Sequence, residues 1–182
     1  MSVVSNADYC DQLPDTILFS TIDLSMPQQP DIPLEGLYGD LVMDHYRSPR
    51  NRDPLDDADV EAEEFNPFCG DRAILQLKMD AQGKVCGVSA RAEGCSIIQA
   101  ATSMLSGLLR GKLLTEVEDL GEKFRASMKK GAGEKGSGED VAELGDLVAL
   151  QVVRRYPVRI KCALLPLTAL EEGIKAYRAN PR

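Results

Sequence analysis

Hydrophobic positions change period along this chain, and each change marks a structural element. Leu75, Leu77 and Met79 alternate with Gln76, Lys78 and Asp80, the pattern of a half-buried strand. Ala81-Gln82-Gly83-Lys84 reads as a hairpin turn. A second alternating run follows over residues 85–93, with Cys86, Val88, Ala90 and Ala92 on one face. The acidic segment 56–64 leads towards Cys69 and supplies a first strand or extended edge. After Gly94-Cys95-Ser96 the period becomes helical, with Ile97, Ala101, Leu105 and Leu108 on one side and Gly111 closing the run. Further helices are predicted over 115–130, with Thr115 as N-cap and Glu118 completing a capping box, and from Glu139 to about Arg155, before Pro157. A last helix opens near Cys162 and carries Leu165, Ala169, Ile174 and Tyr177. Upstream, Leu37, Leu41, Val42 and His45 share one face of a helix that ends at Ser48-Pro49-Arg50-Asn51. Strands followed by helices predict an α+β fold, a small antiparallel three-stranded sheet with helices packed on it.

Two stretches depart from this regularity. Residues 1–35 include the proline-rich run Met26-Pro27-Gln28-Gln29-Pro30-Asp31-Ile32-Pro33, which cannot hold a helix. They read as an N-terminal extension, poorly ordered or strap-like, ahead of a domain over 36–182. Residues 131–138 form a glycine-rich linker, too loosely patterned to cradle a phosphate.

Charge narrows the function. The 182 residues carry a formal net charge of −8, whereas nucleic-acid binding needs a surplus of Lys and Arg on some face. No apolar run is long enough to cross a bilayer. No Lys or Arg precedes Arg47, so an early basic targeting region is absent and a cytoplasmic location is expected. In that reducing setting an odd set of five cysteines points to metal or sulfur chemistry before disulfides.

Three cysteines stand in short signatures: Asn66-Pro67-Phe68-Cys69-Gly70-Asp71, Glu93-Gly94-Cys95-Ser96-Ile97 and Arg159-Ile160-Lys161-Cys162-Ala163. Cys95 and Cys162 are predicted at helix starts, where free backbone N–H groups and the positive end of the macrodipole favour thiolate over thiol. Cys69 lies in a tight turn stiffened by Pro67 and relaxed by Gly70. Asp71, two residues on, shares its side of an extended backbone. Three thiolates and a carboxylate form a tetrahedral donor set suited to zinc or an iron–sulfur cluster rather than to a hard cation.

In this order the signatures resemble the NifU/IscU-type iron–sulfur cluster assembly scaffolds. The stretch Tyr38-Gly39-Asp40-Leu41-Val42-Met43-Asp44-His45-Tyr46-Arg47-Ser48-Pro49-Arg50-Asn51 is similar to that family too, and the resemblance spans residues 36–178. Cys69-Gly70-Asp71-Arg72, Lys161 where the IscU group places a histidine, and the long segment between Cys95 and Cys162 look like the SufU subgroup. The resemblance implies a SufE/NifU-like fold and a zinc site made by Cys69, Asp71, Cys95 and Cys162. It implies docking to a SufS-type, PLP-dependent cysteine desulfurase, with Cys69 as the sulfur acceptor and other iron–sulfur assembly proteins downstream. On this reading the chain is a sulfurtransferase-like accessory protein that does not turn over a small-molecule substrate alone. The alternative is an IscU-like scaffold holding iron or a [2Fe–2S] cluster on Cys69, Cys95 and Cys162.

Plainer readings stand beside these. Cys86 alternates with Val88 and Ala90 and reads as a small buried hydrophobe, and Cys10 as incidental. His45 is the only histidine; a Cys–His nucleophilic enzyme would need it, yet its place on the first helix suits a structural or interface role. The three signature cysteines would be a mere staple in a domain large enough not to need one. Arg72 is expected to pair with a carboxylate beside the site or on a partner. A proline at 166 and a leucine at 167, where SufU relatives often carry an aromatic residue, set the start of the last helix apart.

Overall fold

The computed structural model describes residues 38–130 and 142–180. The readings of residues 1–35, Cys10 among them, and of the 131–138 linker fall outside the described residues. Strands β1 (Val60–Asn66), β2 (Asp71–Met79) and β3 (Val85–Glu93) form an antiparallel sheet in the order β1-β2-β3. Helices α1 (Asp40–Arg47), α2 (Ser96–Leu109), α3 (Leu114–Lys129) and α4 (Pro157–Ala179) complete the fold, with a 3-10 helix over Gly145–Arg155. The architecture is α+β.

The sheet follows the alternation. Val60 and Ala62 of β1 and Leu75, Leu77 and Met79 of β2 are buried, while Glu61 and Glu63 face out and keep the open edge charged. Asp80 builds the hairpin turn by accepting the N–H groups of Gln82 and Lys84, at 2.9 and 2.8 Å. One expectation fails on β3. A register shift pairs Lys78 with Gly87 but Met79 with Val85, so Cys86 is the extra residue of a bulge. Val85 takes the core position expected for Cys86, and Cys86 is half-buried. Lys78, expected in solvent, is 2 % exposed. Its ammonium reaches Asp57 at 2.7 Å and Asp59 at 3.4 Å, which compensates the buried charge.

Helices α2 and α4 cover the apolar face, α2 against β3 and α4 against β1 and β2. Gly173 lets α4 approach closely, since a Cβ there would lie 2.7 Å from Ala62 Cβ and 2.9 Å from the Glu61 carbonyl. Helix α1 packs on α2 and buries Val42, Met43 and His45, while Leu41 is 40 % exposed, so Met43 takes the core role expected of Leu41.

Helix ends account for the other differences. Helix α3 is capped at Leu113, not Thr115: Glu116 accepts the Leu113 N–H at 2.7 Å, and Glu118 instead binds Arg178. The segment expected as an α-helix before Pro157 is mostly a 3-10 helix. Helix α4 begins at Pro157, because proline is pre-set for the first helical position and lacks only an N–H that would find no partner there. Cys162 therefore lies in the second turn. Pro166, inside α4, has no N–H to give the Cys162 carbonyl four residues back.

Candidate metal centre

The four residues singled out from the sequence lie at two junctions between elements and in the second turn of α4. Cys69 lies in the turn between β1 and β2, where the Asn66 carbonyl accepts the Gly70 N–H at 2.9 Å and the Asn66 side chain accepts the Phe68 N–H at 3.1 Å. Gly70 adopts φ +74°, a conformation that side chains resist. Asp71 opens β2, paired with Asn66, and is 1 % exposed. Cys95 is the N-cap of α2, and Cys162 lies within α4, 2 % exposed.

These junctions converge. One ligand atom each from Cys69, Asp71 and Cys162 lie within 4.8 Å of one another. Cys95 Sγ stands 3.7 Å from Asp71 Oδ2. The backbone N–H of Cys95 donates to Asp71 Oδ1 at 3.1 Å, fixing the carboxylate and leaving Oδ2 towards the sulfurs. Gly94 makes this possible: at φ +128°, a Cβ would sit 2.2 Å from Asp71 Oδ1. Zinc held by thiolates and a carboxylate at about 2.0–2.3 Å needs donor atoms about 3.5–3.8 Å apart. The donor types suit such an ion; Cys69, Asp71 and Cys162 are grouped within 4.8 Å, and Cys95 stands outside that trio, beside Asp71.

The two inner thiols are not equivalent. Cys95 is pulled down to about 6 by a hydrogen bond with Cys162 and by the Ile98 and Ile97 N–H groups at the start of α2, against burial and the charge of Asp71. The Cys162 thiol is pushed up by its hydrogen bond with Cys95, by burial and by Asp71. Lying past the first turn, it lacks the free N–H groups that a helix start would give it; the Val158 carbonyl is 3.9 Å from its sulfur. The helix-start argument thus applies to Cys95 alone.

Two neighbours had gone unassigned. Gly94 was legible only as part of a signature, because the need for it arises from β2 approaching the start of α2. Arg159, half-buried, lies near enough to Cys95 and Cys162 to feel their charge. Burial opposes its charge, but Cys95, Tyr38 and Cys162 outweigh burial and hold the guanidinium above its ordinary value. Lys161 is exposed. Arg72 pairs with Glu63 at 2.8 Å, with Glu93 at 4.0 Å.

His45 plays another part. Its Nε2 donates to Asp146 Oδ2 at 3.0 Å and its Nδ1 pairs with Ser103 Oγ at 2.9 Å, tying α1 to α2 and the 3-10 helix. Ser103 is 1 % exposed, and its oxygen also accepts the Arg50 N–H at 2.9 Å. This is a buried structural cluster, with neither ring nitrogen turned to a thiol.

Fold and donor group together make an α+β domain with three thiols and one carboxylate gathered at one end of its sheet. The chain belongs to the NifU-like N terminal domain family, whose profile matches residues 37–182. It is 39 % identical to the zinc-dependent sulfurtransferase SufU of Bacillus subtilis (strain 168), over 78 % of this chain and 91 % of that protein. It is 34 % identical to the iron–sulfur cluster assembly scaffold protein IscU of Streptococcus pyogenes serotype M1, over 78 % of this chain and 85 % of that one. The crystal structure of a putative iron–sulfur cluster assembly scaffold protein for the SUF system from Fervidobacterium islandicum AW-1 superposes with a TM-score of 0.66 at 26 % identity, covering 77 % of this chain and 98 % of that one. No helix among the described residues is long and apolar enough to cross a membrane.

Proposed function

We propose that this protein acts in iron–sulfur cluster assembly as a SufU-like sulfur acceptor, holding zinc with Cys69, Asp71, Cys95 and Cys162 and taking persulfide sulfur from a PLP-dependent cysteine desulfurase of the SufS type. The observation that carries the reading is the gradient of exposure within one donor group. Cys69 is exposed, Cys95 half-buried and Cys162 buried, so only Cys69 presents its sulfur to another protein's reactive group.

Zinc, when bound, keeps the thiols deprotonated at neutral pH. The remaining work belongs to the chain. Gly70 lets the turn hold Cys69 at the surface, Asp71 is locked by the Cys95 N–H, and Arg159 offsets negative charge at Cys95. In the transfer, the Cys69 thiolate attacks the outer sulfur of the partner's persulfide. The partner's S–S bond breaks, a new one forms on Cys69, and the partner's cysteine leaves as a thiolate. No oxidant is required.

Metal analysis after anaerobic purification, together with desulfurase activity in the presence and absence of the protein, tests this. The expected result is a colourless protein with one zinc that stimulates the desulfurase. Zinc should be sharply reduced in Cys69→Ser, Cys95→Ser and Cys162→Ser, and more weakly held in Asp71→Ala. Full retention in all four variants would remove the ligand assignment, and no stimulation would leave a structural staple. A brown chromophore would favour the second reading, an IscU-like scaffold with a [2Fe–2S] cluster on the same cysteines, to which the similarity with IscU of S. pyogenes also speaks.

A further inference from the structure

We infer that the cleft between β3, helix α2 and the loop over 49–52 is an anion seat, taking a small doubly charged oxyanion such as inorganic phosphate or sulfate. The seat lies apart from the four candidate metal ligands and goes beyond the function proposed above.

The lining is the first argument. Arg52 comes from the loop, Arg91 from β3, and Gln99, Thr102 and Ser103 from α2, and no carboxylate lines the cleft. The Ala90 N–H donates to the Asn51 carbonyl at 2.6 Å, which lays the loop bearing Arg52 along β3. Neither Arg52 nor Arg91 pairs with a carboxylate among the described residues. Two cationic side chains on one acid-free cleft concentrate positive potential there, and the donor fork of a guanidinium matches the oxygens of a phosphate. Unpaired cations occur elsewhere on this chain, Arg110 and Lys112 among them, so charge alone does not single out the cleft. The buried groups in its wall do.

Thr102 is 1 % exposed and its Oγ1 has no hydrogen-bond partner; Nε of Arg91 is buried without one as well. A helical threonine can turn its hydroxyl to a carbonyl three or four residues back, and Thr102 makes no such bond. A buried polar group left unmet in this way costs free energy, which an incoming acceptor would recover. The neighbours are already engaged. Ser103 Oγ is shared between His45 and the Arg50 N–H, and the Gln99 amide nitrogen donates to the Gly94 carbonyl at 2.8 Å. The open donors of the wall are therefore Thr102, Arg91 and the exposed Arg52. The inner space is about 10 Å³, room for about one oxygen-sized atom. One oxygen of an oxyanion fills it, and the remaining oxygens stay at the mouth. A water fits the same space but brings no charge to set against two guanidinium groups.

The test titrates the full chain with sodium phosphate by calorimetry, ionic strength being held constant with sodium chloride. Saturable binding is expected, with sulfate competing and singly charged acetate binding more weakly. Thr102→Val replaces the unmet hydroxyl by a methyl of the same shape, so the thermal midpoint should hold or rise while phosphate binds about tenfold more weakly. The double variant Arg52→Gln, Arg91→Gln should bind phosphate more weakly still, by about tenfold or more. Arg110→Gln, which removes an exposed cation outside the cleft, should bind as the wild type does. Absence of saturable binding, or wild-type affinity in both the Thr102→Val and the double arginine variants, would leave only a water in the cleft and overturn the seat. Acetate binding as tightly as phosphate, or an equal loss in Arg110→Gln, would show diffuse attraction and overturn it too. Zinc content and desulfurase stimulation do not enter this readout, so failure of the seat leaves the proposed function standing.

Discussion

The two halves of α4 are built to opposite rules. Beyond Pro166 the helix behaves as an anchor: Ala169, Leu170 and Ile174 are buried to within 1 % exposure, and Gly173 is pressed against β1. Arg125 reaches both oxygens of Glu171 at 2.6 Å, and Arg178, in the last turn where a cation suits the dipole, forks onto Glu118. Before Pro166 the helix exposes Val158, carries cations at the wrong end of its dipole, and leaves the Cys162 carbonyl without its helical partner. One half fixes the helix on the sheet, and the other presents the buried Cys162 to the candidate site. Stability and function are thereby divided along a single element.

Core truncation offers the sharpest test of that division. Ile174→Ala should cost about 2–5 kcal/mol in chemical denaturation, with zinc per folded molecule unchanged. Val158→Ala, at the other end of the same helix, should stay within about 0.5 kcal/mol. Comparable losses from both substitutions would show that the division does not exist.

Gly94→Ala asks whether the presenting end depends on backbone approach. The new Cβ would collide with the Asp71 carboxylate at 2.2 Å and must displace it or the start of α2. Zinc affinity should fall about 10–100-fold, the usual effect of disturbing the groups that orient metal ligands, as read by competition with a chromogenic chelator. Undiminished affinity would mean that Asp71 is not held as described.

A third test bears on the two inner thiols. In the metal-free protein, Cys95 should begin to ionise near pH 6, below its ordinary value of 9.0, followed by thiolate ultraviolet absorbance. The largest cause is the Cys162 thiol, which donates to the Cys95 thiolate and so favours the charged form. Cys162→Ala removes that donor, and the sign follows: the Cys95 midpoint must rise. A midpoint that stays or falls would show that the start of α2 alone controls this thiol.

Much of this was legible in the sequence where one period governed one element. The strand over 85–93 and the helix after Cys95 were read with nearly their final bounds, since alternation and the Gly94-Cys95-Ser96 break are local signals. The failures were non-local or turned on single residues. The bulge at Cys86 comes from pairing with β2, and the burial of Lys78 from Asp57 and Asp59 folding over it. The start of α4 was misplaced because Pro157 was read as a stop for the preceding segment and not also as a helix opener. The four candidate residues were legible as types and spacings. That Cys69 would be the exposed one, that Gly94 would let Asp71 approach α2 and that Arg159 would lie near Cys95 follow only from the meeting of these segments in space.

The smallest expected effect concerns the anchoring end. Arg178 and Glu118 form a two-pronged pair at 2.7 and 2.8 Å, but their side chains are 46 % and 33 % exposed. Solvent and salt screen such a pair, so its geometry overstates its energy. Arg178→Ala should therefore cost less than about 1 kcal/mol, and Glu118→Ala about the same. The double variant should cost less than the sum of the two, the difference being the coupling, and that difference should shrink as salt is raised. A loss of several kcal/mol from Arg178→Ala would mean that the end of α4 is held by this charge pair rather than by the apolar contacts of Leu170 and Ile174.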